Sequence, residues 1–412
     1  MNMRLKENWI QWFFLLGIYF FAASLVFKES LRNITIIIFG VSVILNVIVR
    51  PQSFKIKSRK SMFLGVVFFM IMLISLAYTQ DMDFGSKRVS GMIALGVLPL
   101  AFYTFHRNYN LDYKRVSLNV YKLFFVATVL FLIGVAIHNY LNGHFNQYIF
   151  RDYAERLNTY YGTYSMHPLY MSMYLSICLF FSIPIYKSLT KLTYKVFLLL
   201  GVLLITTILI VLARKGVIAV TFVIFLVYFL RTKKKKSLIL YGLISLVLMA
   251  IAYNIPEIKN RFLEFINTFL NKGSKELGST SIRLSVYDCV IEAIKGEPLF
   301  GYGIGDTKST LNECYDANYN VFNGKFYNAH NQFLSAWLAA GLIGITTLII
   351  WVVSIIKRAF QKGDFVHIAV ITVLCVSLLT ENILERQSGV LLFAFFVNFF
   401  TFKTLCSEET KH

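Results

Sequence analysis

One histidine stands in the stretch Asn328 to Gly344, NAHNQFLSAWLAAGLIG, where polar residues give way to an apolar run that continues to about Ile356. An ionisable side chain at the mouth of a membrane helix marks a functional site by default. The run after His330 exceeds the roughly 20 residues needed to cross a bilayer. That sets His330 at a helix N-terminus near the membrane surface. A helix dipole there disfavours imidazolium and keeps the ring in the state a general base needs. The plainer alternative is a histidine that only caps the helix, with Asn331 beside it in a supporting place.

Cations form the second set. Arg214 and Lys215 stand together between two apolar runs, where an ordinary tight turn needs neither. Such a pair is costly at a bilayer edge without an anionic partner. A guanidinium suits bidentate phosphate binding. Two snorkelling side chains at a short turn are the even alternative. Arg283 falls near the start of a helical pattern in a long polar segment, and alone it reads as a solvated surface arginine. His167, with Pro168 in the first helical turn, opens another apolar run and suits capping as well as chemistry. Tyr160, Tyr161, Tyr164 and Tyr170 surround it, as expected of an interfacial belt. In TENILERQSG, Glu381 and Glu385 are spaced to share a helix face. They either pair with Arg214 or Arg283, or orient His330, or pair locally with Arg386 in an exposed turn.

These residues need elements to hold them, and composition says which. The chain has 412 residues, 57% hydrophobic and 16% aromatic, with 15% charged. Soluble domains carry about 25% charged residues, so the reading is an all-α polytopic membrane protein. The formal charge is +20, but the basic residues lie in short clusters between apolar runs. Topology explains that pattern and nucleic-acid binding does not.

Apolar runs predict twelve spans, at about 8–26, 32–49, 61–79, 91–105, 118–138, 167–186, 196–213, 216–230, 237–253, 332–356, 366–380 and 389–402. The first lacks a small-residue cleavage site and reads as a retained helix. With the N-terminus inside, the inner loops 50–60, 106–115, 187–195, 231–236 and 357–364 hold 19 Lys and Arg. The short outer loops 27–33, 80–90, 214–215 and 381–387 hold 7. The positive-inside rule then puts both termini in the cytoplasm. The run Arg231 to Lys236 anchors one inner loop beside acidic lipids.

Two outer segments are long, 139–166 and 254–331. In the second, Ile258, Phe262, Phe265, Ile266 and Phe269 describe an amphipathic surface helix. After a break at Gly273 to Gly278, Thr280 or Ser281 caps a further helix to about Lys295, with Val286, Val290, Ile291 and Ile294 on its apolar side. Gly296, Gly301, Gly303 and Gly305 predict a flexible turn. GYGIG follows no strand and is no nucleotide fingerprint. Cys289 and Cys314 share this loop, but spacing alone does not decide whether they pair. No Cys/His cluster has metal-ligand spacing.

Taken together, the sequence resembles the O-antigen ligase family, which shares a domain with O-antigen polymerases. The resemblance is carried by the predicted topology, the long outer loop between spans nine and ten, LARKG around Arg214, and SIRLSVYDCVIEAIKGEPLFGYGIGD leading to AHNQFLSAWLAAGLIG. Its diagnostic part covers about 200–345 of a single integral membrane domain, 1–412. It implies a GT-C-like, inverting, metal-independent glycosyltransferase of the bacterial inner membrane, with its active site facing the periplasm and no cofactor. The donor would be a glycan on undecaprenyl diphosphate, and the acceptor lipid A–core or another glycan. By the same resemblance, Arg214 and Arg283 hold the donor diphosphate and His330 activates the acceptor hydroxyl. His167-Pro168 and Glu385-Arg386 match a subset of the family without an assigned role. Membrane lipids are the remaining expected partners, and nothing demands more than a monomer. A polymerase using the same donor is the runner-up. A transporter or flippase is weaker, because no internal repeat is evident and few charges fall deep within spans. A purely structural membrane component is weaker still, because it would not predict three cationic or basic residues at one outer pocket.

Overall fold

The computed structural model describes residues 3–27, 29–49, 63–108, 112–141, 166–212, 215–231, 259, 279–318, 327–362 and 364–409. Among them every regular element is a helix. The first three are α1 (Met3–Ser24), α2 (Glu29–Val49) and α3 (Leu64–Ile74), which continues as a 3₁₀ turn, Ser75–Tyr78. Then come α4 (Met82–Gly91), α5 (Ala94–Asn108), α6 (Tyr113–Leu141), α7 (Pro168–Ser188), α8 (Leu192–Val211) and α9 (Lys215–Arg231). The chain continues with α10 (Ser279–Gly296), α11 (Thr307–Asn318), α12 (Gln332–Lys362), α13 (Phe365–Thr380) and α14 (Gln387–Glu409).

Eleven of the twelve apolar runs fall on these helices, and the run 237–253 lies outside the described residues. Six helices are long and apolar enough to cross a membrane by length and composition. The apolar positions of the amphipathic pattern, Ile258, Phe262, Phe265, Ile266 and Phe269, and the tyrosines 160, 161 and 164 also lie outside the described residues.

Burial separates central helices from peripheral ones. Along α14, Val390, Leu391, Leu392, Phe393, Ala394, Phe395 and Phe396 are all fully buried. The first two-thirds of α7 is buried on every side. A helix apolar all round belongs in the interior of such a bundle. Rings stitch the two together: Phe396 meets Phe181 at 5.6 Å and Phe124 of α6 at 5.4 Å. By contrast α2 and α8 leave Ile37, Ile44, Ile48, Leu199, Leu200 and Leu203 exposed. An outward apolar face is expected where hydrocarbon is the solvent.

Three elements differ from the sequence reading. Residues 80–90, expected as a short loop, form α4. The Asp81 carboxylate accepts the Phe84 N–H and caps it, which a hydropathy scan cannot register. The segment 307–318, unassigned from sequence, is α11, and Cys314 on it is disulfide-bonded to Cys289 on α10. Val286, Val290 and Ile294 of α10 are buried as expected, but Ile291 is 46% exposed. It stands one position round the helix from the buried face, which packs with Leu311 and Tyr315 of α11.

The third difference is in α12, which is broken and not one straight span. Ala340 and Gly341 leave helical backbone angles, Gly341 with φ 60° and ψ −154°. The groups freed by the break are taken up by the 298–303 loop. Tyr302 N–H donates to the Leu338 carbonyl at 2.9 Å, and Gly303 N–H to the Ala339 carbonyl at 3.0 Å. Leu342 N–H donates to the Pro298 and Leu299 carbonyls, each at 3.1 Å. Irregular backbone is tolerated at membrane depth only where protein satisfies it, and here the loop does so. The glycine-rich turn is therefore fastened in place and not a flexible connector. A Cβ at Gly341 would lie 2.0 Å from the Leu299 carbonyl oxygen, and one at Gly301 (φ 70°) 2.6 Å from that of Leu338. On the other side of the turn, the Asp306 carboxylate accepts the N–H groups of Gln80 (2.7 Å) and Asp81 (2.8 Å).

Candidate functional site

At one end of the bundle, the start of α12, the start of α7, the start of α10 and the α13–α14 turn enclose a cavity of about 400 Å³. Its lining includes His167, Tyr170, Arg283, His330, Glu381 and Arg386.

Local chemistry fixes His330. Asn331, and not the histidine, caps α12: its side-chain oxygen accepts the N–H groups of Phe333 (2.9 Å) and Leu334 (3.2 Å). His330 is thereby released from capping and lines the cavity, with φ 45°. Left-handed backbone in a non-glycine residue is uncommon and collects at functional sites. The conformation is held from both sides. His330 N–H donates to the Asn328 side-chain oxygen at 3.3 Å, and the Tyr287 hydroxyl donates to the His330 carbonyl at 3.3 Å.

Glu381 is the hub. One carboxylate oxygen lies 3.0 Å from His330 Nδ1, and the other accepts from Arg283 Nη2 at 2.8 Å. With the carboxylate ionised, it can only accept, so Nδ1 is the ring nitrogen that donates to it. Burial acts to raise the Glu381 pKa. The His330 hydrogen bond and the charges of His330, Arg283 and His167 outweigh it and hold the carboxyl below its usual range. The side chains are about one-fifth (His330) and one-sixth (Glu381) exposed, so the contact is partly desolvated.

A second network supports the first. Glu381 and Glu385 do not share a helix face, because α13 ends at Thr380 and Ile383–Glu385 form a 3₁₀ turn. Glu385 turns away from the cavity, pairs with Arg88 of α4, and accepts from the hydroxyl of Ser335. Its side chain is 8% exposed and that of Arg88 12%, so a local pair with Arg386 in an exposed turn is ruled out. Arg88 also donates to Thr307 at the start of α11 (2.8 Å). The turn is tied to α12 by Asn331 N–H to the Asn382 side chain (2.8 Å) and by Leu384 N–H to the Gln332 side chain (2.7 Å). Arg88, Ser335 and Gln332 had no signal in sequence: Arg88 reads there as one more topology charge.

The other expected residues fall as follows. His167 caps α7, its Nδ1 accepting the Leu169 N–H at 3.3 Å, and it also lines the cavity with Tyr170. Arg386 lines the cavity and is exposed. Arg214 lies outside the described residues, and Lys215 opens α9 without a described side chain. The structure thus joins Arg283 to His330 through Glu381.

Membrane-length helices with an imidazole, a carboxylate and a guanidinium converging at one end define a polytopic membrane protein with a polar, enzyme-like site. Within it, residues 199–349 match the O-antigen ligase family model, Wzy_C, so the chain carries the domain of the family that its sequence resembles. The matched stretch contains Arg214, Lys215, Arg283, His330 and Asn331, while His167, Glu381, Glu385 and Arg386 fall outside it. No curated protein matches the chain.

Proposed function

We infer that the protein is a ligase- or polymerase-type membrane glycosyltransferase, a reading that its family domain supports. We propose that the protein moves a preassembled glycan from undecaprenyl diphosphate to lipid A–core or a similar acceptor. The reaction runs at the periplasmic face of the bacterial inner membrane, in a GT-C-like fold of twelve spans with both termini cytoplasmic. The observation that carries this reading is the Glu381–His330 contact inside a cavity that also holds Arg283.

The chemistry is a metal-independent, inverting displacement. His330 Nε2 takes the proton of the acceptor hydroxyl as its oxygen bonds to the anomeric carbon of the donor. The bond from that carbon to the lipid diphosphate breaks, and the electron pair leaves with the diphosphate. Arg283 has five donors and spends Nη2 on Glu381, so it retains donors for a phosphate oxygen. Arg214 completes the diphosphate grip, with Lys215 beside it. Glu381 holds the ring tautomer and stabilises the imidazolium that forms, as carboxylates do in related dyads.

The test is product analysis in membranes supplied with one defined lipid-linked repeat, with and without added lipid A–core. Transfer that requires core lipid and stops in His330→Ala supports the ligase reading. Lengthening of the repeat without core lipid moves the assignment to a polymerase. Full transfer by His330→Ala, or by both Arg214→Ala and Arg283→Ala, removes the mechanism.

A further inference from the structure

The charge balance of the cavity is uneven. Besides Tyr170 and Tyr327, five acidic or basic side chains from the described residues line it: His167, Arg283, His330, Glu381 and Arg386. Glu381 is already shared between Arg283 and His330. Glu385, the other nearby carboxylate, is committed to Arg88, Ser335 and Asn382. Among the described residues no hydrogen bond or ion pair is made by the Arg386 guanidinium, although its main chain is firmly held. The Arg386 carbonyl accepts the N–H groups of Gly389 (2.9 Å) and Val390 (3.0 Å), and Ile383 and Leu384 just before it are fully buried. An exposed guanidinium on a turn pinned by five polar contacts is a preorganised cation facing a cavity. Preorganised charge of this kind is what stabilises charge that develops during reaction.

We propose that Arg386 binds the diphosphate of the lipid-linked donor directly, as a second guanidinium beside Arg283 in the same cavity. The inference rests on the glycosyltransferase reading above. Arg283 is half-neutralised by Glu381, so it is a weak holder of a group carrying two or more negative charges. Arg386 supplies a charge that no carboxylate among the described residues pairs with. As the bond to the sugar breaks, the leaving diphosphate gains negative charge, and a bidentate guanidinium answers that gain better than an ammonium.

The experiment measures binding of farnesyl diphosphate, farnesyl monophosphate and farnesol to the full-length protein in nanodiscs, for wild type, Arg386→Gln and Arg386→Lys. Because the guanidinium makes no contact within the turn, both variants should keep the wild-type melting temperature. Loss of one charge-assisted contact predicts at least about tenfold weaker farnesyl diphosphate binding in Arg386→Gln. Arg386→Lys falls between, and monophosphate affinity changes less. Arg386→Gln with wild-type affinity for farnesyl diphosphate overturns the inference and leaves the parent reading standing. A wild-type protein that binds farnesyl diphosphate no better than farnesol overturns both.

Discussion

Glu381 lies 3.0 Å from His330 Nδ1 across 51 positions of sequence. The contact joins the end of α13 to the residue that precedes the α12 cap. Removing the ring by His330→Ala should lower glycan transfer by a factor of order 10²–10⁴. Glu381→Gln keeps the shape but can present its amide N–H to Nδ1 and favour the wrong tautomer, so a loss of similar order is expected. Initial rates in proteoliposomes at matched protein levels check both. A Glu381→Gln variant with unchanged rate would leave the carboxylate a structural role only.

The same carboxylate sets an acid limit. Its folded-state pKa is depressed by His330, Arg283 and His167 against the opposing effect of burial. A depressed carboxyl stabilises the fold fully above its unfolded value, about 4.5, and loses that contribution as pH falls through the lower folded value. Thermal unfolding of the wild type should therefore soften below about pH 4.5, and Glu381→Gln should flatten that part of the profile. Identical profiles for the two proteins would show that the site contributes nothing to acid sensitivity.

Arg88 and Glu385 are the more buried pair. Deleting one partner strands the other charge, at a cost of about 3–5 kcal/mol. Arg88→Met and Glu385→Leu should each lower the melting temperature clearly, and the double variant should recover part of the loss. Additive losses in that cycle would mean that the charges do not interact.

The break in α12 gives a backbone test. Gly341→Ala places a methyl against the Leu299 carbonyl and forces an alanine to φ 60°. Strain of about 1–3 kcal/mol is expected from the backbone alone, together with displacement of the 298–303 loop. Limited proteolysis should cut that loop faster in the variant, whereas Gly91→Ala, which meets open space, serves as the neutral control.

The disulfide between Cys289 and Cys314 closes a 25-residue separation. Its loss by Cys289→Ser should destabilise the α10–α11 pair by about 3 kcal/mol. A gel shift on reduction and a lower melting temperature are the readouts. Free thiols at both positions in the purified protein would contradict the bond.

Apolar runs foretell most helices because hydrocarbon burial needs a long, continuous signal. The chemistry-bearing types were legible for a related reason: charged and imidazole side chains at the ends of such runs stand out against their neighbours. The partners were not legible. Glu381 and Glu385 look equivalent at four-residue spacing, but the end of α13 at Thr380 sends them to opposite sides. Arg88 gave no sign because α4 is capped by a local side-chain bond and not by hydropathy. The fracture at Ala340–Gly341 was hidden because LAAGLIG is apolar throughout, and only the distant Pro298–Gly303 loop makes the interruption affordable.

That loop and the fracture are two halves of one joint. The extramembrane segment ending in α11 cannot be exchanged as a module, because its backbone completes the hydrogen bonding of a membrane helix. A chimera that exchanges this segment must carry residues 298–303 and 338–342 from the same parent. Otherwise the shelf bearing the imidazole loses its seat before any sugar arrives.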